Sequence, residues 1–490
     1  MKRGLIFIHR WMGVGLCLLV LLWFASGIGM MYWEYPLIMP EDRLAHAEAL
    51  NAAKIHIAPA EAYARLGADM PPPVAARLSM FDGRPAYKFG SGADQQMVYA
   101  DNGQTQTEFP PELTRRIAAQ WTRQPEASAQ EEQNTPVDQW TVYEGFQELQ
   151  PLRKYSWPDG KQVYVSAENG EVVQYTTRAS RIGAYLGPIP HWLYFTALRK
   201  HSETWSKTVI WLSGLVTIAG IIGIAVGISV YSPTKRFRYR GSASALPYLG
   251  WKRWHSIFGL IFGVLACTWT FSGMLSMDPF PKWQGERGGA IRARFDKAVR
   301  GNAIELSGFA AKNPQAALAE AGGGIKQAEL TSFLGQPLYL MRLGANQTRL
   351  VPVGEEAQAE FSSSNILAAL ERAAIPYSIT QVRRVTKYET YYIDRRGRLP
   401  LPAIYAELND PERSGFYIDP QTARIVEGYN AQSRRNRWLY HGLHSFDLPI
   451  LYAHRPAWDV VVLTLMLAGL SLSVTSVVLA WNVLRRKVRL

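Results

Sequence analysis

LIFIHRWMGVGLCLLVLLWFASG (residues 5–27) and WKRWHSIFGLIFGVLACTWTFSG (residues 251–273) carry one pattern twice. At an offset of 246, His9 matches His255, Gly13 matches Gly259, Trp23 matches Trp269, and Ser26-Gly27 matches Ser272-Gly273. In each copy a histidine beside basic and aromatic residues leads into an apolar run, Trp11–Trp33 and Ile257–Met277. Two more such runs follow, Val209–Tyr231 and Val460–Trp481, and none of the four contains Asp, Glu, Lys or Arg. A bilayer core takes about 20 apolar residues, so the chain reads as four transmembrane helices.

A second offset completes the repeat. At 253, Val163-Tyr164-Val165 matches Phe416-Tyr417-Ile418, Val172-Val173 matches Ile425-Val426, Ser180-Arg181 matches Ser433-Arg434, and Trp205 matches Trp458. His191 and His444, and His201 and His454, also stand 253 apart. Each half reads as span, polar domain, span, and both halves share one orientation, the arrangement of parallel repeats about an axis along the membrane normal. The layout is a first transmembrane helix within 1–33, a polar domain 34–204, a second helix 205–231 and a basic loop 232–254. A third helix 255–277, a polar domain 278–456, a fourth helix 457–484 and a tail 485–490 complete it.

Charge gives the orientation. Lys2 and Arg3, then Lys235, Arg236, Arg238, Arg240, Lys252 and Arg253, then Arg485, Arg486, Lys487 and Arg489 flank the spans with no acidic residue among them. Without those twelve, the 53 Lys and Arg fall to 41, against 40 Asp and Glu. The net charge of +13 is therefore a positive-inside signal. It places both termini and the 232–254 loop in the cytoplasm and the two large domains outside, in the periplasm of a Gram-negative host. Nucleic acid is not an expected partner; membrane lipid is. The N-terminus reads as an uncleaved span, because Met30-Met31-Tyr32-Trp33 offers no small-residue cleavage site. The two cysteines, Cys17 and Cys267, lie inside spans, and there is no C-x-x-C-H for covalent haem.

The polar domains read as small α+β units. Gln162–Val165 and Glu171–Gln174 alternate as strands around a turn at Glu168-Asn169-Gly170. Met97–Ala100 and Gln104–Thr107 do the same around Asp101-Asn102-Gly103, and Tyr417–Asp419 with Arg424–Val426 is the counterpart in the second half. Helices are predicted at Ala58–Leu66 and Asn365–Ala374, and a surface loop at Pro125–Pro136. Neither domain carries a phosphate loop, a metal-spaced cluster or a nucleophile motif.

The histidines carry the chemistry. One such His alone is ordinarily an interfacial residue beside the aromatic belt. Two in equivalent positions, on helices that a pseudo-two-fold axis brings together, favour axial ligation of haem iron, for which imidazole on a helix wall is suited. His9 and His255 have Arg10 and Arg253 beside them for propionates, and Gly13 and Gly259 within a turn or so to admit a flat ring. His191 and His444 sit in apolar, aromatic surroundings and form a second pair. His201 and His454, set among charges, and His441, without a symmetric partner, are reserve ligands. Trp23 and Trp269 are placed between the two sites, with plain packing as the alternative.

Leu5–Gly13 and Trp23–Gly27, repeated as Lys252–His255 and Phe271–Gly273, resemble the PepSY-associated transmembrane family. Trp438-Leu439-Tyr440-His441-Gly442-Leu443-His444-Ser445-Phe446-Asp447 resembles the stretch before that family's closing span, and Val163–Val173 and Phe416–Val426 resemble PepSY strand–turn–strand elements. The resemblance implies an integral membrane α-helical protein with two PepSY-like α+β periplasmic domains in the bacterial inner membrane. Some members are di-haem proteins that reduce ferric siderophores, which would place axial ligands at His9, His255, His191 and His444, holding two haems b.

The expectation is a b-type haem oxidoreductase. The cytoplasmic segments are too short for a nicotinamide or flavin domain, so the donor would be a quinol or a separate cytoplasmic reductase. The acceptor would be a periplasmic ferric siderophore or another oxidised partner. The rival is a haem-free signalling or assembly factor whose PepSY domains bind a periplasmic partner. A transporter is disfavoured, because no span carries an acidic residue.

Overall fold

The structure, a computed structural model, describes residues 2–67, 70–132, 136–239, 242–280 and 288–488. Arg240, Arg489 and residues 133–135 of the expected loop lie outside the described residues, as does the Lys487 side chain. The chain forms two compact units, one of 1–35, 179–284 and 434–490, the other of 36–178 and 285–433.

The first unit is built on four long helices, Lys2–Met30, Ser202–Val230, Gly250–Leu275 and Ala457–Val488. All four are long and apolar enough to cross a membrane. The first packs on the second and fourth, and the third on the second and fourth, which closes a ring. Lipid offers no hydrophobic drive between helices, so close approach through small residues does the work. Gly29 and Gly187 bring two backbones together: a Cβ on Gly29 would collide with Leu186 O and lie 2.9 Å from Gly187 Cα. Gly469 leaves the space that Phe24 fills, and Gly220 faces Cys267 at 3.4 Å.

The second unit is β-rich. Its strands are β1 Ala76–Phe81, β2 Arg84–Phe89, β3 Gln96–Tyr99, β4 Thr105–Gln106, β5 Gln130–Glu132, β6 Leu152–Ser156, β7 Gln162–Ser166 and β8 Val172–Thr176. A short hairpin, β9 Phe237–Tyr239 and β10 Ser242–Ser244, belongs instead to the helical unit. The β-rich unit continues with β11 Gln327–Phe333, β12 Gln336–Gly344, β13 Gln347–Pro352, β14 Ile379–Val385, β15 Ala403–Leu408, β16 Gly415–Asp419 and β17 Arg424–Tyr429.

Three antiparallel sheets result. One has seven strands in the order β13-β12-β11-β1-β2-β3-β4, and two have four, β5-β6-β7-β8 and β14-β15-β16-β17. The sequence reads the two polar segments as separate domains, but strand β1 of one pairs with β11 of the other, Arg77 opposite Glu329. The flanking hairpins turn alike: Asp82 and Gly83 have φ of 49° and 74°, Leu334 and Gly335 of 52° and 83°, the backbone that tight two-residue hairpins require. Alternation sorts the faces. Leu78, Tyr87, Leu330 and Tyr339 bury one face of the long sheet under the helices Pro59–Ala64 and Pro314–Ala321. On the other face, Leu338 and Leu340 join Phe416 and Ile418, while Phe81 and Met97 join Tyr155 and Val163.

The strand pairs and both helices read from sequence are present, within a few residues of their expected ends. The Pro125–Pro136 loop requires correction: Gln130–Glu132 is the edge strand β5, with Gln130 opposite Ser156. An edge strand can be wholly polar, so alternation gives no sign of it.

Candidate functional site

The histidines expected as ligands meet in two pairs in the helical unit. His9 on the first long helix and His255 on the third have ring centres 6.2 Å apart. His191 ends the short helix Pro188–His191, and His444 lies in a π-helical stretch, Arg437–Ser445; their ring centres are 6.1 Å apart. π-Helical turns are rare and collect at functional sites.

The surroundings fix the proton on each ring. His9 Nδ1 is 3.0 Å from Ala219 O, His191 Nδ1 3.1 Å from Trp23 O, and His444 Nδ1 3.2 Å from Trp269 O. A carbonyl only accepts, so Nδ1 carries the hydrogen in all three. His255 Nδ1 is 3.1 Å from Thr475 Oγ1 and 3.4 Å from Ser476 Oγ. Both hydroxyls donate to Leu472 O, at 2.7 and 2.9 Å, so they too accept from the ring. Nδ1 donates in all four, and the lone pair is left on Nε2, with no hydrogen-bond partner for it among the described residues. Metal-bound histidines characteristically donate their other N–H to a carbonyl or other oxygen. Serines reinforce one pair: Ser26 Oγ is 3.3 Å from His191 Nδ1 and Ser272 Oγ 3.1 Å from His444 Nδ1. Their own protons go to Leu22 O and Trp269 O.

Burial holds the His191 imidazole down at about 4 and, with His191 alongside, that of His444 at about 3. Both rings are neutral at pH 7, the form that binds metals. They line a cavity of about 180 Å³, open at its mouth, with Trp23, Phe24, Trp269, Tyr440 and Met466. Trp269 Nε1 is buried there without a hydrogen-bond partner among the described residues. Tyr440 lies tilted beside His444, ring centres 5.5 Å apart.

The family described as PepSY-associated TM region matches residues 7–360. The chain belongs to that family. No curated protein matches it.

The other residues singled out in this PepSY-associated transmembrane chain sit as follows. His201 and His454 are exposed, with His454 Nδ1 on Ile450 O at 2.8 Å. His441 is 3.6 Å from Asp447 and packs on Tyr440. Arg253 is exposed, and Arg10 lies over the Phe7 and Trp11 rings. A Cβ on Gly13 would meet nothing, and one on Gly259 only Leu472 at 3.9 Å, so both glycines border open space. Trp23 and Trp269 line the His191–His444 cavity, and their carbonyls hold those two rings.

Sequence reasoning passed over Gly223, where a Cβ would fall 2.5 Å from His9 Cε1, and Gly27 and Gly273, at 3.4 and 3.3 Å from His191 and His444 Cε1. The last two stand in the repeated Ser-Gly motif, which was the available signal. Ala219, Thr475 and Ser476 had none, and Tyr440 stood only within the family-like stretch Trp438–Asp447.

Proposed function

We propose that this protein is a b-type haem oxidoreductase of the bacterial inner membrane. In this reading it carries electrons from the cytoplasmic face to a periplasmic acceptor, a ferric siderophore. His9 and His255 would hold one haem, His191 and His444 the other. The halves would be a duplication, with both termini cytoplasmic as the basic flanks of the spans require.

The ring spacing carries the reading. With a metal–imidazole distance of about 2.0–2.1 Å, two imidazoles facing each other across one metal would have ring centres roughly 6.3 Å apart. The pairs stand at 6.2 and 6.1 Å. Two imidazoles alone make a poor cage, since protein metal sites use three or four ligands. Among the described residues no group of three or more His, Cys, Asp or Glu supplies the rest. A porphyrin would bring four nitrogens of its own, and each pair of imidazoles would supply the remaining two ligands. Glycines beside the His9, His191 and His444 rings, the apolar cavity and the orphaned Trp269 N–H suit such a group.

When bound, the haems supply one-electron carriers at two depths. The chain sets the separation of the two histidine pairs. His9 to Trp23, whose carbonyl holds His191, is 14 residues, or about 21 Å of helix; His255 to Trp269 repeats the interval. The carbonyls of Ala219, Trp23 and Trp269 and the hydroxyls of Thr475 and Ser476 fix the imidazole tautomers, and burial keeps His191 and His444 neutral. At the outer end Fe(III) in the chelate takes one electron and leaves as Fe(II), which hard oxygen donors hold less well.

The test is a His→Ala series. His9→Ala and His255→Ala should each remove one haem, His191→Ala and His444→Ala the other, and all four should stop the reduced protein from converting a ferric hydroxamate to trapped Fe(II). Full haem content in the variants would sink the ligand assignment. Two haems with no chelate reduction would sink the substrate alone.

A further inference from the structure

On one face of the seven-stranded sheet, cations outnumber the carboxylates available to them. Arg77 on β1 and Lys88 on β2 are directly opposite each other, a cross-strand pairing that repels. The nearby acids are engaged elsewhere. Glu329, across from Arg77 on β11, is bound to Arg424 and lies 3.7 Å from Arg342. Glu171 pairs with Arg43 at 2.8 Å. Arg43 also donates to Val172 O; Lys88 feels its charge together with the opposing charge of Glu171, and the repulsion from Arg77 exceeds either.

Donors are left over. Arg77 gives one Nη to Gln95, but its Nε is buried with no partner among the described residues. The Lys88 ammonium makes no hydrogen bond or ion pair among them; its contact is with the Phe81 ring, 5.0 Å away. Burial and the Arg77 charge hold that ammonium down at about 8, so it stays charged at pH 7. Buried polar groups are nearly always satisfied, and one that is not asks for an ion or water. In the second half Leu340, opposite Glu329, packs in an apolar core, so the arrangement belongs to one half only.

We propose that Arg77, Lys88 and Arg43 form a binding site for a small oxyanion, a phosphate or a compact polycarboxylate. Its oxygens would accept charge-assisted bonds from Arg77 Nε and Lys88 Nζ, and its charge would relieve the repulsion between the facing strands. Glu171 is the built-in competitor, because it occupies Arg43. The inference does not depend on haem.

The experiment titrates the full-length protein in detergent with inorganic phosphate and, separately, with citrate. Calorimetry and thermal unfolding are followed, with chloride at matched ionic strength as the control. Saturable binding of one or both is expected, and which one identifies the class. Lys88→Met keeps the length of the side chain against Phe81 and should weaken binding at least tenfold. Glu171→Gln frees Arg43 and should tighten it. Absence of binding to the wild type overturns the site, as does affinity unmoved by Lys88→Met. Should Lys88→Met fail to fold, Glu171→Gln decides: unchanged or weaker binding overturns the proposal.

Discussion

Gly223→Ala sets two effects of known sign against each other. In the interior of the helix Ser202–Val230, replacing Gly by Ala stabilises by roughly 0.5–1 kcal/mol. At Gly223, however, the new Cβ would lie 2.5 Å from His9 Cε1, 3.1 Å from Nδ1 and 3.2 Å from Nε2, where ordinary contact begins at 3.4 Å. The ring is rigid and its Nδ1 is tied to Ala219 O one turn earlier on the same helix. It must therefore move bodily by about 1 Å, and overpacking of this kind costs typically 1–3 kcal/mol. A net loss of about 1–2 kcal/mol is a factor of roughly 5–30, falling on the His9–His255 site while the helix itself is strengthened. The assay is haem per chain after purification and dilution, with thermal unfolding alongside. Gly214→Ala on the same helix, where the Cβ meets only Met274 Sδ at 3.5 Å, is the control. Gly223→Ala should retain one haem firmly and lose the other on dilution, with folding intact. Two firmly held haems in Gly223→Ala would refute the placement of His9 as a ligand.

Ser26→Ala or Ser272→Ala removes one of the two acceptors of a ligand N–H, so the imidazole donates less charge. The midpoint potential of the His191–His444 site should rise, and that of the other site should stay put, as read by potentiometric titration; Ser→Thr should restore it. In haem-free protein, the His191 and His444 rings resist protonation down to about 4 and 3, while unfolded histidine titrates near 6.5. The unfolded chain then binds more protons, so stability should fall as the pH drops from about 6.5 towards 4. Thermal unfolding across that range checks the sign, and His191→Phe should make the dependence shallower. Gly29→Ala drives a Cβ into the Leu186 backbone and should cost about 1–3 kcal/mol. It should also loosen the following turn, where His191 N–H bonds Gly187 O, seen as lower yield and weaker haem retention.

The helical half was legible because lipid imposes one strong rule, an unbroken apolar run, and because the repeat marks equivalent positions. Both offsets point to the histidines that meet in space. What the repeat does not encode is the partner on a neighbouring helix. Ala219, Gly223 and Thr475 are unremarkable in their own runs and matter only for where helix packing puts them. The strands β7, β8, β16 and β17 were readable from alternation and turn residues. The seven-stranded sheet was not, since the β1–β11 pairing joins residues about 250 apart, and no local pattern carries such a pairing. Edge strand β5 is polar on both faces and left no trace.

The central claim is that two pairs of imidazoles each hold a haem. Absorption spectra of the detergent-purified protein, oxidised and dithionite-reduced, with haem-to-chain stoichiometry, test it most directly. The account predicts a bis-histidine b-type spectrum and close to two haems per chain. A colourless protein from cells with ample haem would contradict it, and would leave the facing histidines without the role assigned to them.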